Sequence, residues 1–350
     1  MGTTMLAILD TLSLLFAGDI MQHAGQLRNA LVSGQDSAIA ASYDYSPYFA
    51  HTDTYIAEAD FAVANMEFSL AGPPYTGYPS FSAPETLAEA AAAAGIDLFL
   101  CANNHICDKG KRGLRESVKN YSRIGTPYTG LYRDSADQAE NYPYIADVRG
   151  CRIAFINFTY GTNGISVSPP YRVNRMDMEE VSAAIAKAKS QNADYIIALP
   201  HWGTEYDTYA DKSQEKWKDF LIKEGVDAII GTHPHMIQPV VEDTLPDGKR
   251  IVTAFSLGNF ISNMSLSGTE LGLMFRLDIK VDKEGKASLA DYEAIPVWCS
   301  RPGGFNDSYT VLPVKEFLDK GEKFKSRYNY GKMKKTYERL KHLFEHGSNE

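Results

Sequence analysis

The amino-acid sequence predicts a mixed α/β (α+β) protein in which two packed β-sheets are flanked by helices. Short apolar segments bounded by turn residues, which are typical of buried strands, recur six times. They cover residues 14–17, 61–64, 98–101, 196–199, 228–230 and 252–255. Segments of helical period lie between several of these strands, as in βαβ units, and alternating segments further on are typical of antiparallel ribbons. This combination favours a four-layer αββα sandwich.

The connecting helices are indicated by residues that begin or end helices. Ser82, a possible N-cap, and Pro84 precede an alanine-rich segment that extends to residue 94. Glycine follows this helix and two others at their predicted ends. The other predicted helices cover residues 113–124, 177–189 and 213–223.

Two hairpins are expected in addition to these units. Gly150 separates strand-like residues 144–148 from residues 152–158. A Lys-Glu-Gly-Lys turn likewise separates residues 271–281 from residues 287–297. Both are antiparallel pairs, which a purely parallel sheet would not contain.

The two ends of the chain have different characters. Residues 5–17 are apolar but short, contain Asp10 and lack a preceding basic region, so they predict neither a spanning helix nor a secretory signal. After residue 313 the chain is lysine-rich with a helical period, which favours a surface helix over a membrane-surface or partner helix. We expect a main domain over residues 12–300 and a C-terminal helical extension over residues 301–350.

The overall charge restricts the partners. The 350 residues carry a formal net charge of −9, whereas a nucleic-acid-binding protein carries a basic stripe, so no nucleic-acid partner is expected. An anionic ligand must therefore be bound by local groups. The four cysteines have no paired zinc-binding spacing, and buried thiols are expected in preference to a disulfide.

Polar residues of the kind that bind divalent metals follow the predicted strands. The positions are Asp19, Glu67, Asn104 with His105, His201, His233 with His235, and Asn259. Because ligands of open α/β sheets bind beyond the carboxyl ends of the strands, these side chains are expected at one rim. Carboxylates, amides and imidazoles together predict a metal site.

Each position has an ordinary alternative when it is taken alone. A carboxylate after a strand is often a helix cap, and His201 could be a half-buried histidine over an aromatic ring. Asp108 either orients the His105 imidazole or caps the next helix. Glu205, four residues after His201, is expected to support a ligand or to lie at the surface. The metal-site hypothesis depends on the conjunction of all these strand ends.

These motifs resemble the capsule synthesis protein CapA family of poly-γ-glutamate biosynthesis, within the calcineurin-like metallophosphatase superfamily. The resemblance covers residues 14–297. The motifs are Ala-Gly-Asp-Ile-Met at 17–21, Ala-Asn-Met-Glu at 64–67, Ala-Asn-Asn-His at 102–105, Thr-Tyr-Gly-Thr-Asn-Gly at 159–164, His-Trp-Gly-Thr-Glu at 201–205, Gly-Thr-His-Pro-His at 231–235 and Ser-Leu-Gly-Asn-Phe at 256–260.

The resemblance implies a set of metal ligands and a catalytic pair. The implied ligands are Asp19, Glu67, Asn104, His201, His233 and His235. His105 is the implied histidine beside the scissile bond, and Asp108 is paired with it. The implied cofactor is Mn²⁺, Zn²⁺ or Fe²⁺.

The chain departs from the superfamily pattern at two ligand positions. Met21 stands where the first motif has a histidine, and Glu67 stands where phosphatases have an aspartate. We therefore expect one tightly bound metal and a second that is weak or absent. His23 is a possible replacement ligand, although an ordinary loop role is the alternative.

The resemblance also implies the activity and its setting. The chain is expected to be a metal-dependent hydrolase acting on an anionic polymer such as poly-γ-glutamate, or on a cell-envelope phosphoester. The alternative is a non-catalytic polymer-binding or assembly factor for capsule export that retains a degenerate metal site. Other capsule-synthesis proteins at the membrane are implied partners, and the implied location is the cell surface. The predicted substrate contacts are Phe81, Ser82, Tyr160, Thr162, Asn163 and Asn259, for which loop packing is the alternative.

Overall fold

The computed structural model describes residues 11–345, which form sixteen strands and nine α-helices. The strands are β1 Thr11–Ile20, β2 Phe61–Met66, β3 Leu98–Leu100, β4 Tyr128–Thr129, β5 Leu131–Tyr132, β6 Tyr144–Val148, β7 Cys151–Thr159, β8 Arg172–Val173, β9 Tyr195–His201, β10 Ala228–Ile230, β11 Val240–Thr244, β12 Arg250–Ala254, β13 Asn259–Ile261, β14 Leu271–Val281, β15 Ala287–Ser300 and β16 Thr310–Pro313. The helices are α1 Ala24–Ala30, α2 Asp53–Ala57, α3 Glu85–Ala93, α4 Gly110–Ile124, α5 Ser135–Asn141, α6 Met178–Ser190, α7 Lys212–Glu224, α8 Val314–Phe317 and α9 Arg327–Leu340.

The first sheet has eight strands in the order β16-β15-β14-β1-β2-β3-β4, with β13 also paired to β1. Strands β1, β2, β3 and β4 are parallel, whereas β14, β15 and β16 add antiparallel ribbons. The second sheet has the order β11-β12-β10-β9-β7-β6, with antiparallel edges around four parallel strands. Both predicted hairpins are present, as β6 with β7 and β14 with β15.

The two sheets pack face to face. Phe16 and Val63 of the first sheet share one buried core with Ile197 of the second. Across the same interface the rings of Phe61 and Phe155 stack with centroids 5.3 Å apart. The predicted sandwich of two sheets is therefore confirmed.

Helices cover the outer face of each sheet and complete the four layers. Leu87 of α3 and Leu114 of α4 pack on the first sheet. Val181 of α6 and Leu221 of α7 pack on the second. Each of these faces is buried because one apolar stripe of an amphipathic helix meets one apolar sheet face.

Local sequence explains both ends of α7 but not the start of α3. Asp211 caps α7 by accepting the Ser213 and Gln214 N–H groups, and Gly225 ends that helix at φ +95°. Ser82 does not cap α3, because its hydroxyl donates to the Gly72 carbonyl and Pro84 directly precedes the helix. The predicted Ser82 cap was wrong.

The chain after β15 contributes to the same core. Strand β16 pairs with β15, and Met333, Tyr337 and Leu340 of α9 join the core between the sheets. The division of the chain at residue 300 stays a prediction. Over residues 11–345, no helix combines the length and the apolar character needed to cross a membrane. Residues 5–10 of the N-terminal apolar segment lie outside the described residues.

Candidate metal centre

Strand ends from both sheets meet at one rim. Asp19 lies near the end of β1, Glu67 directly follows β2, and His201 ends β9. The side chain of Asn157 in β7 joins the sheets there. Its Oδ1 accepts the Ala102 N–H at 2.8 Å, and its Nδ2 donates to the Leu199 carbonyl at 2.9 Å. The predicted convergence of these segments is therefore observed.

Two close approaches hold the loops that follow the strands. A Cβ atom at Gly18 would lie 2.1 Å from the Gly258 carbonyl oxygen, and one at Gly231 would lie 2.1 Å from the Phe255 oxygen. Such distances leave no room for any side chain, so glycine is required at both positions. They place the end of β1 and the turn after β10 against the same stretch of chain, residues 255–258.

The His-Pro-His turn directs two imidazoles into the same site. His233 and His235 have φ angles of +103° and +58°, which are uncommon for non-glycine residues. The backbone strain brings the rings of His201 and His233 to 4.7 Å and those of His233 and His235 to 5.9 Å. Strain of this kind is found where surrounding structure holds a functional arrangement in place.

Glu67 occupies the middle of the cluster. Its Oε1 lies 3.7 Å from His201 Nε2 and 3.6 Å from His235 Nε2, and Asp19 Oδ2 lies 3.3 Å from His235 Nδ1. Possible ligand atoms lie within 4.8 Å of one another in three groups. The groups are Glu67 with His201 and His233, Asp19 with Glu67 and His235, and Glu205 with His233 and His235.

Several buried atoms of the cluster have no hydrogen-bond partner. They are the two carboxylate oxygens of Glu67 and Nδ1 of His233. Burial, with the nearby Asp19 carboxylate, raises the pKa of Glu67 well above its ordinary value. Burial and the neighbouring imidazoles lower the pKa values of His201 and His233. A buried, unpaired polar group is costly, and a divalent cation would satisfy all three atoms, so these residues fit a metal ion.

Polar neighbours orient the cluster. Asn65 donates to Asp19 Oδ1 at 2.7 Å, and the Thr232 hydroxyl lies 3.0 Å from His201 Nδ1. Asn104 Oδ1 lies 2.9 Å from His201 Nε2. Such partners determine the ring orientation and tautomer of metal-binding histidines.

His105 forms a separate pair with Asp108 beside the cluster. The buried His105 imidazole has its Nδ1 2.8 Å from Asp108 Oδ2, which also accepts the Phe81 N–H at 2.7 Å. The Phe81 ring meets the imidazole edge-on at 4.5 Å. Asp108 therefore orients His105 and anchors the Phe81 loop, and it does not cap α4, which begins after Lys109.

The predicted substrate contacts divide into two sets. Tyr160 and Asn163 are exposed beside the cluster: the Tyr160 ring lies 4.5 Å from that of His233, and the Asn163 amide lies 3.4 Å from His105 Nδ1. The other four are buried. Thr162 donates to the Ile165 carbonyl, Ser82 donates to that of Gly72, Phe81 packs behind His105, and Asn259 Oδ1 lies 3.1 Å from His235 Nδ1.

His23 does not occupy the position left by Met21. Its Nδ1 lies 3.1 Å from Gln26 Oε1 and accepts the Asn263 N–H at 3.3 Å, and its ring meets Phe81 edge-on. Among residues 11–345 the three possible ligand groups do not include it. These contacts place His23 at the N-terminus of α1 and outside the ligand groups.

Two features of this rim have only weak signals in the sequence. Glu205 belongs to one of the three ligand groups, although the sequence placed it only in the motif at 201–205 and as a supporting or surface residue. Arg28 and Lys109 line a cavity of about 510 Å³ together with Tyr75, Tyr78 and Ser80. No motif signalled the cavity, because its walls come from distant parts of the chain.

The sequence comparisons identify relatives in capsule biosynthesis. A family model described as bacterial capsule synthesis protein PGA_cap matches residues 13–264. The chain is 27% identical over 274 residues to the capsule biosynthesis protein CapA of Bacillus anthracis, covering 75% of this chain and 62% of that protein. It is 25% identical over 237 residues to the PGA biosynthesis protein CapA of Bacillus subtilis (strain 168), covering 66% and 59%. The chain thus spans less than two thirds of the length of either relative.

Solved structures share the fold at low sequence identity. The NAD nucleotidase NadN of Haemophilus influenzae aligns with a TM-score of 0.52 and 15% identity, covering 95% of this chain and 63% of that one. The calcineurin-like phosphoesterase YfkN from Bacillus subtilis aligns with a TM-score of 0.50 and 16% identity, covering 96% and 99%. The family expected from the sequence motifs is confirmed. The chain belongs to the bacterial capsule synthesis protein (PGA_cap) family and has a fold resembling that of the calcineurin-like phosphoesterases.

Proposed function

We propose that this protein is a metal-dependent hydrolase of capsule or poly-γ-glutamate biosynthesis that cleaves an anionic polymer or a phosphoester. The observation that carries the proposal is a buried cluster with unpaired ligand atoms next to an oriented histidine. The proposed ligands are Asp19, Glu67, Asn104, His201, His233 and His235, and the proposed ion is Mn²⁺, Zn²⁺ or Fe²⁺. A bound dication polarises a substrate oxygen and lowers the pKa of a water molecule towards about 7.

The His105–Asp108 pair is proposed to handle the proton. With Asp108 accepting from Nδ1, the proton of the neutral imidazole resides on Nδ1 and Nε2 is left to exchange a proton with the substrate. In its protonated form His105 donates from Nε2 to the leaving oxygen. General acid catalysis of this kind contributes about 10²–10⁴-fold to a rate. His105 is thus the proposed catalytic residue, and Asp108 is its positioning residue.

The cavity next to this pair supports an anionic substrate. Arg28 and Lys109 line it and make no ion pair within residues 11–345. Ser80, also in its wall, donates to the Asp108 carbonyl, so the cavity adjoins the His105 loop. In a chain of net charge −9, two unpaired cations here give local attraction for carboxylate or phosphate groups.

The test of the catalytic proposal is His105→Ala with metal-loaded protein. Poly-γ-glutamate oligomers and a panel of phosphoesters are supplied with Mn²⁺, Zn²⁺ or Fe²⁺, and released glutamate or phosphate is measured. We expect turnover by the wild type, loss of about 10²-fold or more in His105→Ala, and unchanged metal content by elemental analysis. His342→Ala, at an exposed histidine, is the matched control and retains activity. Turnover that survives in His105→Ala contradicts the proposal.

A second candidate function is a non-catalytic polymer-binding or assembly factor for capsule export, acting with other capsule-synthesis proteins at the membrane. Met21, in place of a ligand histidine, favours it because the metal site is then incomplete. This candidate predicts binding of poly-γ-glutamate without any product under all three metals. Release of glutamate or phosphate rules it out.

A further inference from the structure

The two sides of the cluster have unequal sets of donor atoms. On one side, Glu67 lies with the imidazoles of His201 and His233. On the other side, Asp19 and Glu67 lie with the single imidazole of His235. Met21 is buried with 1% exposure at the motif position that would supply a second imidazole. The His235 side therefore has one imidazole fewer than the His201 side, and a further donor would strengthen its hold on an ion.

Glu205 is placed to be that donor. One of its carboxylate oxygens lies within 4.8 Å of ring nitrogens of both His233 and His235. Its side chain is exposed, so it lies at the mouth of the cluster.

The backbone around Glu205 is tied to the His-Pro-His turn on both sides. Trp202 N–H donates to the Thr232 carbonyl at 3.1 Å, and Tyr206 N–H donates to the Pro234 carbonyl at 2.8 Å. Tyr206 adopts a φ of +70° to make this contact. These two backbone hydrogen bonds hold the loop beside the His-Pro-His turn, so Glu205 stays next to the imidazoles.

We infer that Glu205 is an oxygen ligand of a second, weaker divalent ion on the His235 side, in place of the imidazole that Met21 does not provide. This inference rests on the proposed metal centre. An exposed carboxylate holds an ion less firmly than a buried imidazole because water competes for the ion. Carboxylate oxygens also suit Mn²⁺ better than a set rich in nitrogen does. Three carboxylates, Asp19, Glu67 and Glu205, then share the charge of the ions.

The test is a titration of metal-free protein with Mn²⁺, followed by calorimetry and by the electron paramagnetic resonance signal of a spin-coupled Mn²⁺ pair. We expect two ions in the wild type and a coupled signal. In Glu205→Gln we expect the weaker ion to lose at least about tenfold in affinity and the coupled signal to vanish, with the tighter ion unchanged. Asp207→Asn, an exposed carboxylate two residues away, is the matched control and behaves as the wild type.

A double variant tests whether a histidine at position 21 can replace the Glu205 carboxylate. Met21→His combined with Glu205→Gln is expected to restore the second ion, because the imidazole returns at the motif position. Two ions of unchanged affinity in Glu205→Gln, or a wild type that binds only one ion, overturns the inference and leaves the metal centre intact. A wild type that binds no ion overturns the metal centre itself and the inference with it.

Discussion

The His201 and His235 sides of the metal cluster share one framework but differ in their donors. His201 is a strand-end residue whose two ring nitrogens are approached by Thr232 at 3.0 Å and by Asn104 at 2.9 Å. On the other side His235 meets Asp19 at 3.3 Å, and a thioether stands at the position of the missing imidazole. The comparison teaches that strand ends can keep their places while the type of side chain at one of them changes, so the fold is retained although the donor set differs.

Glu67 belongs to both sides, so we expect the two sides to be coupled. Its Oε1 is almost equally far from His201 Nε2 and His235 Nε2, at 3.7 and 3.6 Å. A glutamate reaches one methylene further than the aspartate of the superfamily pattern. We therefore expect variants of Glu67 to affect both sides and variants elsewhere to affect one.

The largest effect is expected for Glu67→Gln, which tests whether the sides are coupled at all. We expect loss of both ions, by at least about 10²-fold in affinity, because the shared charge is removed. The metal-free variant should unfold at the same temperature as the wild type or higher, since the buried carboxylate is costly without an ion. Elemental analysis and thermal unfolding check both. Retention of one tight ion would show that the two sides are independent.

The next effect separates the two sides. In His201→Ala we expect the tighter ion to lose about 10²-fold in affinity, because a fully buried imidazole and the orientation of Asn104 are lost together. Calorimetric Mn²⁺ titration measures it. His51→Ala, a histidine packed against Phe305 and Phe317, is the control for loss of a ring outside the cluster. An unchanged tighter ion would assign tight binding to the Asp19 side.

A smaller effect distinguishes proton handling from ion binding. In Asp108→Asn we expect turnover to fall about 10- to 100-fold, because the amide no longer stabilises a protonated His105, while both ions stay bound. The pH profile of kcat should shift as well, which a merely structural change would not cause. Asp177→Asn, at the N-cap of α6, is the control carboxylate. Loss of either ion in Asp108→Asn would place this pair within the ion-binding set.

The smallest effect tests whether His23 completes the His235 side. Burial, together with His235, His105 and Arg301, lowers the pKa of His23 to about 4, despite the opposing effect of its contact with Gln26 Oε1. Between pH 6.5 and 4 the unfolded chain therefore binds a proton that the folded chain does not. The free energy of unfolding should therefore decrease as the pH is lowered. His23 alone should contribute a decrease of about 1 kcal/mol between pH 7.5 and pH 5.5.

The variant His23→Gln should reduce this pH dependence without any change in metal affinity. Urea unfolding of metal-free protein at pH 7.5 and 5.5 measures the first quantity, and Mn²⁺ titration measures the second. Weaker binding of either ion in His23→Gln would identify His23 as the replacement ligand after all.

Much of the fold was predictable because the signals were local. The apolar segments that became β1, β2, β3, β9, β10 and β12 are short, bounded by turn residues and buried on both faces, and they carry their polar residues directly after them. The helix ends at Asp211 and Gly225 follow from capping chemistry within a few residues. Such features need no knowledge of distant contacts.

The errors and omissions concern contacts between distant residues. Ser82 has the chemistry of a cap, but its hydroxyl reaches the Gly72 carbonyl instead. The lysine-rich C-terminal segment was expected to form a surface helix, and the sequence did not show that Met333 and Leu340 of α9 would be buried in the core between the sheets. Periodicity shows that a helix has an apolar face, and only packing decides what covers it.

By itself the sequence determined ten of the sixteen strands, the motif order and the types of atom that stand at the strand ends. It also showed Met21 at the position where the motif that it resembles has a histidine, because that difference is local. Tertiary structure alone decided which of these atoms meet. Glu205 lies beside His233 and His235, and His23 turns to Gln26, because ion-sized distances depend on how two separately formed sheets pack and on the left-handed turn at His233.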